Sequence, residues 1–106
     1  MDARETLRQI GPMTLGAVGA RTFRQSTNAD GTGYVEFTIS RGHRKVRITL
    51  NASDTYDVRT IMVRSGKTVF ETADVYCDQL AEAVWDAHLE TALNSHLAND
   101  PRYATA

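Results

Sequence analysis

The sequence is poor in cysteine. Cys77 stands alone among 106 residues, so no intrachain disulfide can form, and a secreted disulfide scaffold is excluded. Long apolar runs are missing too: no stretch approaches the roughly 20 residues needed to span a bilayer. Residues 1–10 mix two acids with two arginines (Asp2, Arg4, Glu5, Arg8) and do not read as a signal peptide. These absences point to the cytosol and away from a membrane. Phosphate-cradling glycine patterns are absent as well, since Gly16 and Gly19 are too few for a dinucleotide fingerprint and there is no P-loop. His88 and His96 fall on one helix roughly 12 Å apart along its axis, Cys77 is eleven residues before His88, and no two of these groups stand at i, i+4 spacing. No metal, no cofactor and no catalytic group is therefore expected. Cys77 itself reads as a buried thiol acting as a small hydrophobe.

What is present is enough for one domain, spanning residues 1–106. A chain of 106 residues can bury one modest core, removing roughly two-thirds of its unfolded surface from water. The net charge of −1 hides an asymmetry. Between Arg21 and Lys67 there are nine Lys/Arg against four acids; from Thr68 onward there are seven acids and only Arg102. The chain has a basic middle and an acidic end.

Asp2 followed by Glu5 reads as an N-cap and capping-box partner, opening a short helix that carries Leu7 and Ile10 and stops at Gly11-Pro12. Met13–Phe23 is apolar but holds Gly16 and Gly19, which predicts an irregular first strand. Thr27–Gly33 reads as an exposed loop. Val35, Phe37 and Ile39 then alternate with polar residues. After a two-residue turn at Arg41-Gly42, Val46, Ile48 and Leu50 alternate likewise, the pattern of a hairpin with one buried face. Asn51–Asp54 is turn chemistry. Tyr56, Val58 and Met62 continue the inward set, Arg64–Lys67 turns, and Thr68–Glu71 makes a last short strand. Asp74–Leu97 reads as one helix, roughly 36 Å long, with Tyr76, Leu80, Ala83, Val84 and Ala87 as its apolar stripe. Residues 99–106 read as a frayed tail. The fold class is α+β: an antiparallel sheet of four to five strands with a short N-terminal and a long C-terminal helix packed on it.

Ile48–Val58 reads ITLNASDTYDV, Val75–Leu80 reads VYCDQL, and Gly19–Phe23 reads GARTF. Together these resemble a family of small proteins encoded by phages and related mobile elements, in which a short N-terminal helix and a glycine-containing strand lead to an ITLxxxDTYxV strand, a hairpin, and a helix opening on YxDQL. The resemblance spans roughly Leu7 to Trp85. It implies a mobile-element provenance and an α+β fold, and no catalytic residue.

Asp54 and Asp57 are three apart in extended chain and so face opposite sides, unfit for paired acid–base work. Asp54 reads as a turn residue and Asp57 as a solvated or ion-paired one. Two surfaces invite a partner. On the outer sheet face the turn register sets Arg47 opposite Arg59, Glu36 opposite Arg47, Lys45 opposite Thr38 and Asp57 opposite Thr49. Like charges across a ladder repel, so Lys45, Arg47 and Arg59, with Arg44, form a candidate site for an anion such as a nucleic-acid phosphate. The plainer reading is that Glu36 and Asp57 neutralise the pair. Tyr34 is the only outward aromatic there, a poor stacking platform.

On the C-terminal helix Asp74, Asp78, Glu82, Asp86 and Glu90 recur every four residues, a ridge whose like charges cost a few tenths of a kcal/mol per pair. Leu89, Leu93 and Leu97 edge it on one flank and Trp85 on the other. An acidic ridge with apolar edges suits a basic partner. The plainer reading is a solvated face, with the leucines packed on the N-terminal helix or on a second copy of the chain. The expectation is a non-enzymatic inhibitor of a host defence complex, such as a CRISPR effector, that occupies a host protein or ribonucleoprotein through this ridge in the host cytosol. The alternative is a nucleic-acid-binding accessory protein using the basic sheet face.

Overall fold

A computed structural model describes residues 2–99, and for Ser40 and residues 90–99 the backbone alone. Alternation of apolar and polar residues builds the middle of the sheet. Strands β1 (Arg21–Thr27), β2 (Gly33–Ile39), β3 (Arg44–Leu50), β4 (Tyr56–Met62) and β5 (Thr68–Val75) follow one another in space as in sequence, each antiparallel to the next. The expected pairings form: Glu36 faces Arg47, Thr38 faces Lys45, Arg47 faces Arg59 and Thr49 faces Asp57. Arg41 and Gly42 both take positive φ, 58° and 87°, the conformation of the primed turns whose twist suits a tight hairpin.

One face of the sheet is covered. Val35, Phe37, Ile39, Val46, Ile48 and Val58 are buried there, with Leu80, Ala83, Val84 and Ala87 of helix α3 (Leu80–Asn99) in the same core. Each fully buried valine, leucine, isoleucine or phenylalanine among them contributes roughly 1.5–3 kcal/mol. Helix α1 (Ala3–Ile10) adds Ile10 and docks on α3 and β2. The architecture is α+β, five antiparallel strands with helices on one face. No helix among the described residues is long and apolar enough to cross a membrane.

The N-terminal segment departs from expectation in two ways. Asp2 caps α1 through the backbone N–H groups of Arg4 and Glu5. The Glu5 carboxylate turns instead to Arg8, at 3.2 Å, and accepts from Gln9. Gly11, at φ 90°, closes α1 with an N–H bond to Leu7. Pro12 then opens a second helix, α2 (Pro12–Ala17), where an irregular strand was expected over Met13–Phe23. Proline is preorganised for the first helical position, where its missing N–H costs nothing. Strand β1 therefore starts only at Arg21. It forms one edge of the sheet and all seven of its residues are exposed. Its bulge lies between Arg21 and Arg24, with Thr22 rather than a glycine at φ 55°.

The acidic end also differs. β5 runs on to Val75, past the expected stop at Glu71, and α3 begins at Leu80 rather than Asp74. Val75 pairs with Tyr56 and is buried, so ladder bonds and core burial keep 72–75 in the strand, with an irregularity at Asp74, whose φ is positive. Tyr76 and Cys77 fall in the connection. Tyr76 is 62% exposed and so lies outside the apolar stripe, and the Cys77 thiol is exposed rather than buried. On β4, Thr60 and Ile61 are both buried while Met62 is half-buried; Thr60, opposite Val46, faces the helix-covered side, and Ile61, opposite Lys45, is buried on the outer side.

Candidate binding surfaces

The acidic ridge is shorter than its spacing suggested. Asp74 belongs to β5, at φ 56°, and its carboxylate accepts from the Asn51 amide at 3.3 Å and lies 3.2 Å from the Thr55 hydroxyl. It is a turn-locking group. Asp78 sits in the one-turn 3₁₀ segment Cys77–Gln79 that leads into α3. Asp78, Glu82 and Asp86 are all exposed and continue the four-residue spacing. Leu89 and Trp85 are exposed at 46% and 39%. The side chains of Glu90, Leu93 and Leu97 lie outside the described residues.

Beside this rim runs a groove between α3 and β5. Its walls include Phe70, Thr72 and Val75 from the strand, and Gln79, Glu82, Ala83 and Asp86 from the helix side. β5 is the second edge of the sheet. The groove is thus half apolar, carries two carboxylates on its outer lip, and lies along a strand with one side unpaired. An edge strand of this kind is a template for another chain.

The outer sheet face is organised as a charged row across all five strands. Arg24 faces Glu36, Glu36 faces Arg47, Arg47 faces Arg59, and Arg59 faces Glu71. Glu36 is only 4% exposed. It accepts from Arg47 Nε at 2.9 Å and has Lys45 Nζ at 3.7 Å. Arg59 donates to Glu71 at 3.2 Å. The arginine pair is therefore flanked by Glu36 and Glu71, not by Glu36 and Asp57. Asp57 instead accepts from the Asn51 amide and from the Asp74 backbone N–H. The Arg47 guanidinium carbon lies 4.3 Å from the Tyr34 ring centroid, a cation–π contact. Arg44 is not part of this face. It pairs with Ile39 and Met62 and by strand alternation belongs to the helix-covered side.

Sequence reasoning missed the wall of this surface. The loop between β1 and β2 folds against the outer face, where Asn28 reaches the hydroxyls of Thr32 and Thr49. With Arg47, Thr49, Asp57 and Arg59 as floor and Asn28, Ala29, Asp30 and Thr32 as wall, it encloses a pocket of about 410 Å³. Asp30 accepts from the Thr32 hydroxyl at 2.6 Å and from the Thr32 N–H at 3.0 Å. Those bonds, the hydroxyl first, hold its carboxyl below the ordinary 3.8.

The segment around Asp54, Thr55 and Tyr56 is a structural knot. Asn51 Oδ1 accepts from the N–H groups of Ser53 and Thr55, while its amide donates to Asp57 and Asp74. Asp54 holds the turn at φ 59°, Thr55 is buried, and the Tyr56 hydroxyl donates to Gln9 of α1 at 2.7 Å. No protein-family model matches this chain, and neither a curated protein nor a solved structure does. His88 is half-buried beside Trp85, and among the described residues no three His, Cys, Asp or Glu groups are gathered to hold a metal ion.

Proposed function

We propose that the chain is a non-enzymatic interaction protein of a phage or mobile element that inhibits a host defence complex, of the CRISPR effector type, by occupying a basic surface of it. The observation that carries this reading is the α3 rim. Asp78, Glu82 and Asp86 stand exposed on successive turns above a half-apolar groove. No lysine or arginine occurs from Thr68 to Asn99 to offset them. Uncompensated charge on one face steers a basic partner and sets its register, while Phe70, Val75 and the exposed Leu89 supply the apolar contact that holds it. The host-defence setting rests on the resemblance of ITLNASDTYDV and VYCDQL to mobile-element proteins, and action in the host cytosol is part of the same proposal.

The test is expression of the chain in bacteria carrying an active CRISPR system and challenged with a targeted phage. Plating efficiency should rise by orders of magnitude with the wild-type chain. It should return to the protected level when Asp78, Glu82 and Asp86 are all replaced by Gln. Full activity of a correctly folded triple variant would remove the rim from the mechanism, and no rise against any effector type would remove the inhibitor reading.

A further inference from the structure

The outer-face pocket offers chemistry of a different kind, independent of the helix rim. We propose that it binds a 5′-phosphorylated ribose, with the phosphate on the Arg47–Arg59 pair and the sugar hydroxyls on Asp30 and Asp57.

The arginines come first. Two guanidinium groups directly opposite each other repel, and here each is held by a glutamate from a flanking strand rather than splayed into solvent. Arg47 spends its Nε on Glu36 and lies against Tyr34, so its plane is fixed and its terminal nitrogens make no hydrogen bond within the described residues. Arg59 spends one terminal nitrogen on Glu71. The pair thus presents preorganised donors on one side of the pocket, the arrangement that suits phosphate oxygens.

The carboxylates come second. A carboxylate only accepts. Asp57 takes the Asn51 amide and the Asp74 N–H on Oδ1, and Asp30 takes both Thr32 donors on Oδ1. The second oxygen of each carries no hydrogen bond from the described residues. A lone anion satisfies the arginines and is repelled by these acids. An uncharged sugar satisfies the acids and leaves the arginines idle. A ligand with a phosphate at one end and vicinal hydroxyls at the other meets both sets. At about 410 Å³ the pocket falls in the range of small-ligand sites. No aromatic ring lines it, and Tyr34 is already covered by Arg47, so the base is not stacked. Recognition falls on the sugar and phosphate, and the 2′-hydroxyl becomes the feature that separates ribose from deoxyribose.

The same chemistry comes from a free ribonucleotide or from an RNA strand, and a titration followed by amide chemical shifts separates the two. Adenosine 5′-monophosphate at low salt should move the amides of residues 28–32 and of Arg47, Thr49, Asp57 and Arg59. The 2′-deoxy analogue and inorganic phosphate should bind at least tenfold more weakly. Arg59→Gln, which loses only an exposed pair with Glu71, should keep the fold and weaken the ribonucleotide at least tenfold. A six-nucleotide RNA binding tenfold or more above the mononucleotide, with the matching DNA lagging, assigns the site to an RNA strand. Equal affinity of strand and mononucleotide assigns it to the free nucleotide. The proposal falls if neither ribonucleotide nor RNA shifts these amides at millimolar concentration. It falls equally if ribose and deoxyribose bind alike, or if Arg59→Gln leaves affinity unchanged.

Discussion

Arg47 on β3 and Arg59 on β4 stand face to face, and each is turned onto a glutamate of the strand beyond, Glu36 at 2.9 Å and Glu71 at 3.2 Å. The two ion pairs look alike in sequence and differ in setting. Glu36 lies under the row, its side chain 6% exposed, with Lys45 as a second cation. Glu71 is on the edge strand, with a side chain 54% exposed. Burial strengthens an interaction and also raises the penalty for leaving one partner alone.

Replacing the buried acid should therefore cost far more than replacing the exposed one. Glu36→Gln leaves Arg47 and Lys45 facing a neutral group, at a cost of about 2 kcal/mol, below the full value for a buried pair because both cations keep some solvent. Glu71→Gln should cost less than about 0.5 kcal/mol, as for other surface pairs. Urea midpoints of the two variants decide it; equal losses would mean that burial does not set the strength of this row.

The chain's apolar stripe divides at the start of α3. Leu80 is fully buried while Tyr76, four residues earlier, is 62% exposed. Leu80→Ala should cost roughly 2–5 kcal/mol through a core cavity. Tyr76→Ala should cost less than about 0.5 kcal/mol, as an ordinary surface change. A Tyr76→Ala loss as large as that of Leu80→Ala would place Tyr76 in the core and the helix start near Asp74.

Much of the sheet was legible because period-two patterning in β2, β3 and β4 leaves one register that buries Val35, Phe37, Val46, Ile48 and Val58 together. The pairing of Arg47 with Arg59 followed from it. Glu71 did not, because the ladder from β4 to β5 slips between Thr60 and Ile61. A bulge adds a residue that turn counting cannot see. Asp74–Gln79 was misassigned for a related reason. Four-residue spacing of acids looks helical, but the pairing of Val75 with Tyr56 and the bond from the Asn51 amide to Asp74 are long-range and outweigh local pattern. The pocket wall at residues 28–32 left no trace in sequence, since a polar loop reads the same whether it projects or folds back.

Cys77 gives a direct check on that connection. Its thiol is exposed in the segment before α3, so the native protein should react fully with a disulfide reagent without denaturant, and Cys77→Ser should shift stability by less than about 0.5 kcal/mol. Protection of the thiol until unfolding would return it to the core.

Asp30 should titrate below its ordinary 3.8, chiefly because the Thr32 hydroxyl bonds its charged form. A lowered carboxyl stabilises the fold above its unfolded value and loses that contribution as pH falls through the folded value. Thr32→Val removes the hydroxyl and keeps the backbone bond, so the Asp30 midpoint should rise part-way toward 3.8, read by carboxyl carbon shifts in an acid titration. An unmoved midpoint would assign the lowering to another cause.

Asn51 allows the sharpest test of the turn knot, because its two ends do different work. Its carbonyl oxygen accepts from Ser53, Thr55 and the Thr55 hydroxyl; its amide donates to Asp57 and Asp74. Asn51→Ala removes both halves and strands the N–H of buried Thr55, at a cost of about 2 kcal/mol. Asn51→Asp keeps an accepting oxygen but replaces the donor with a third carboxylate beside Asp57 and Asp74. At neutral pH it should be at least as damaging as Asn51→Ala. With the like charge of Asp57 and Asp74 outweighing the Ser53 and Thr55 donors on its accepting oxygen, the new carboxyl should hold its proton to higher pH in the folded chain than in the unfolded one. Its penalty is then complete above the folded value and fades as pH falls toward the unfolded one, opposite in sign to the Asp30 contribution. Measured as a difference from wild type at each pH, the Asn51→Asp deficit should shrink in acid while the Asn51→Ala deficit changes less. Parallel deficits at every pH would show that Asp57 and Asp74 do not crowd the new carboxyl in the folded chain, and a negligible Asn51→Asp deficit would show that Asn51 serves the turn through its carbonyl alone.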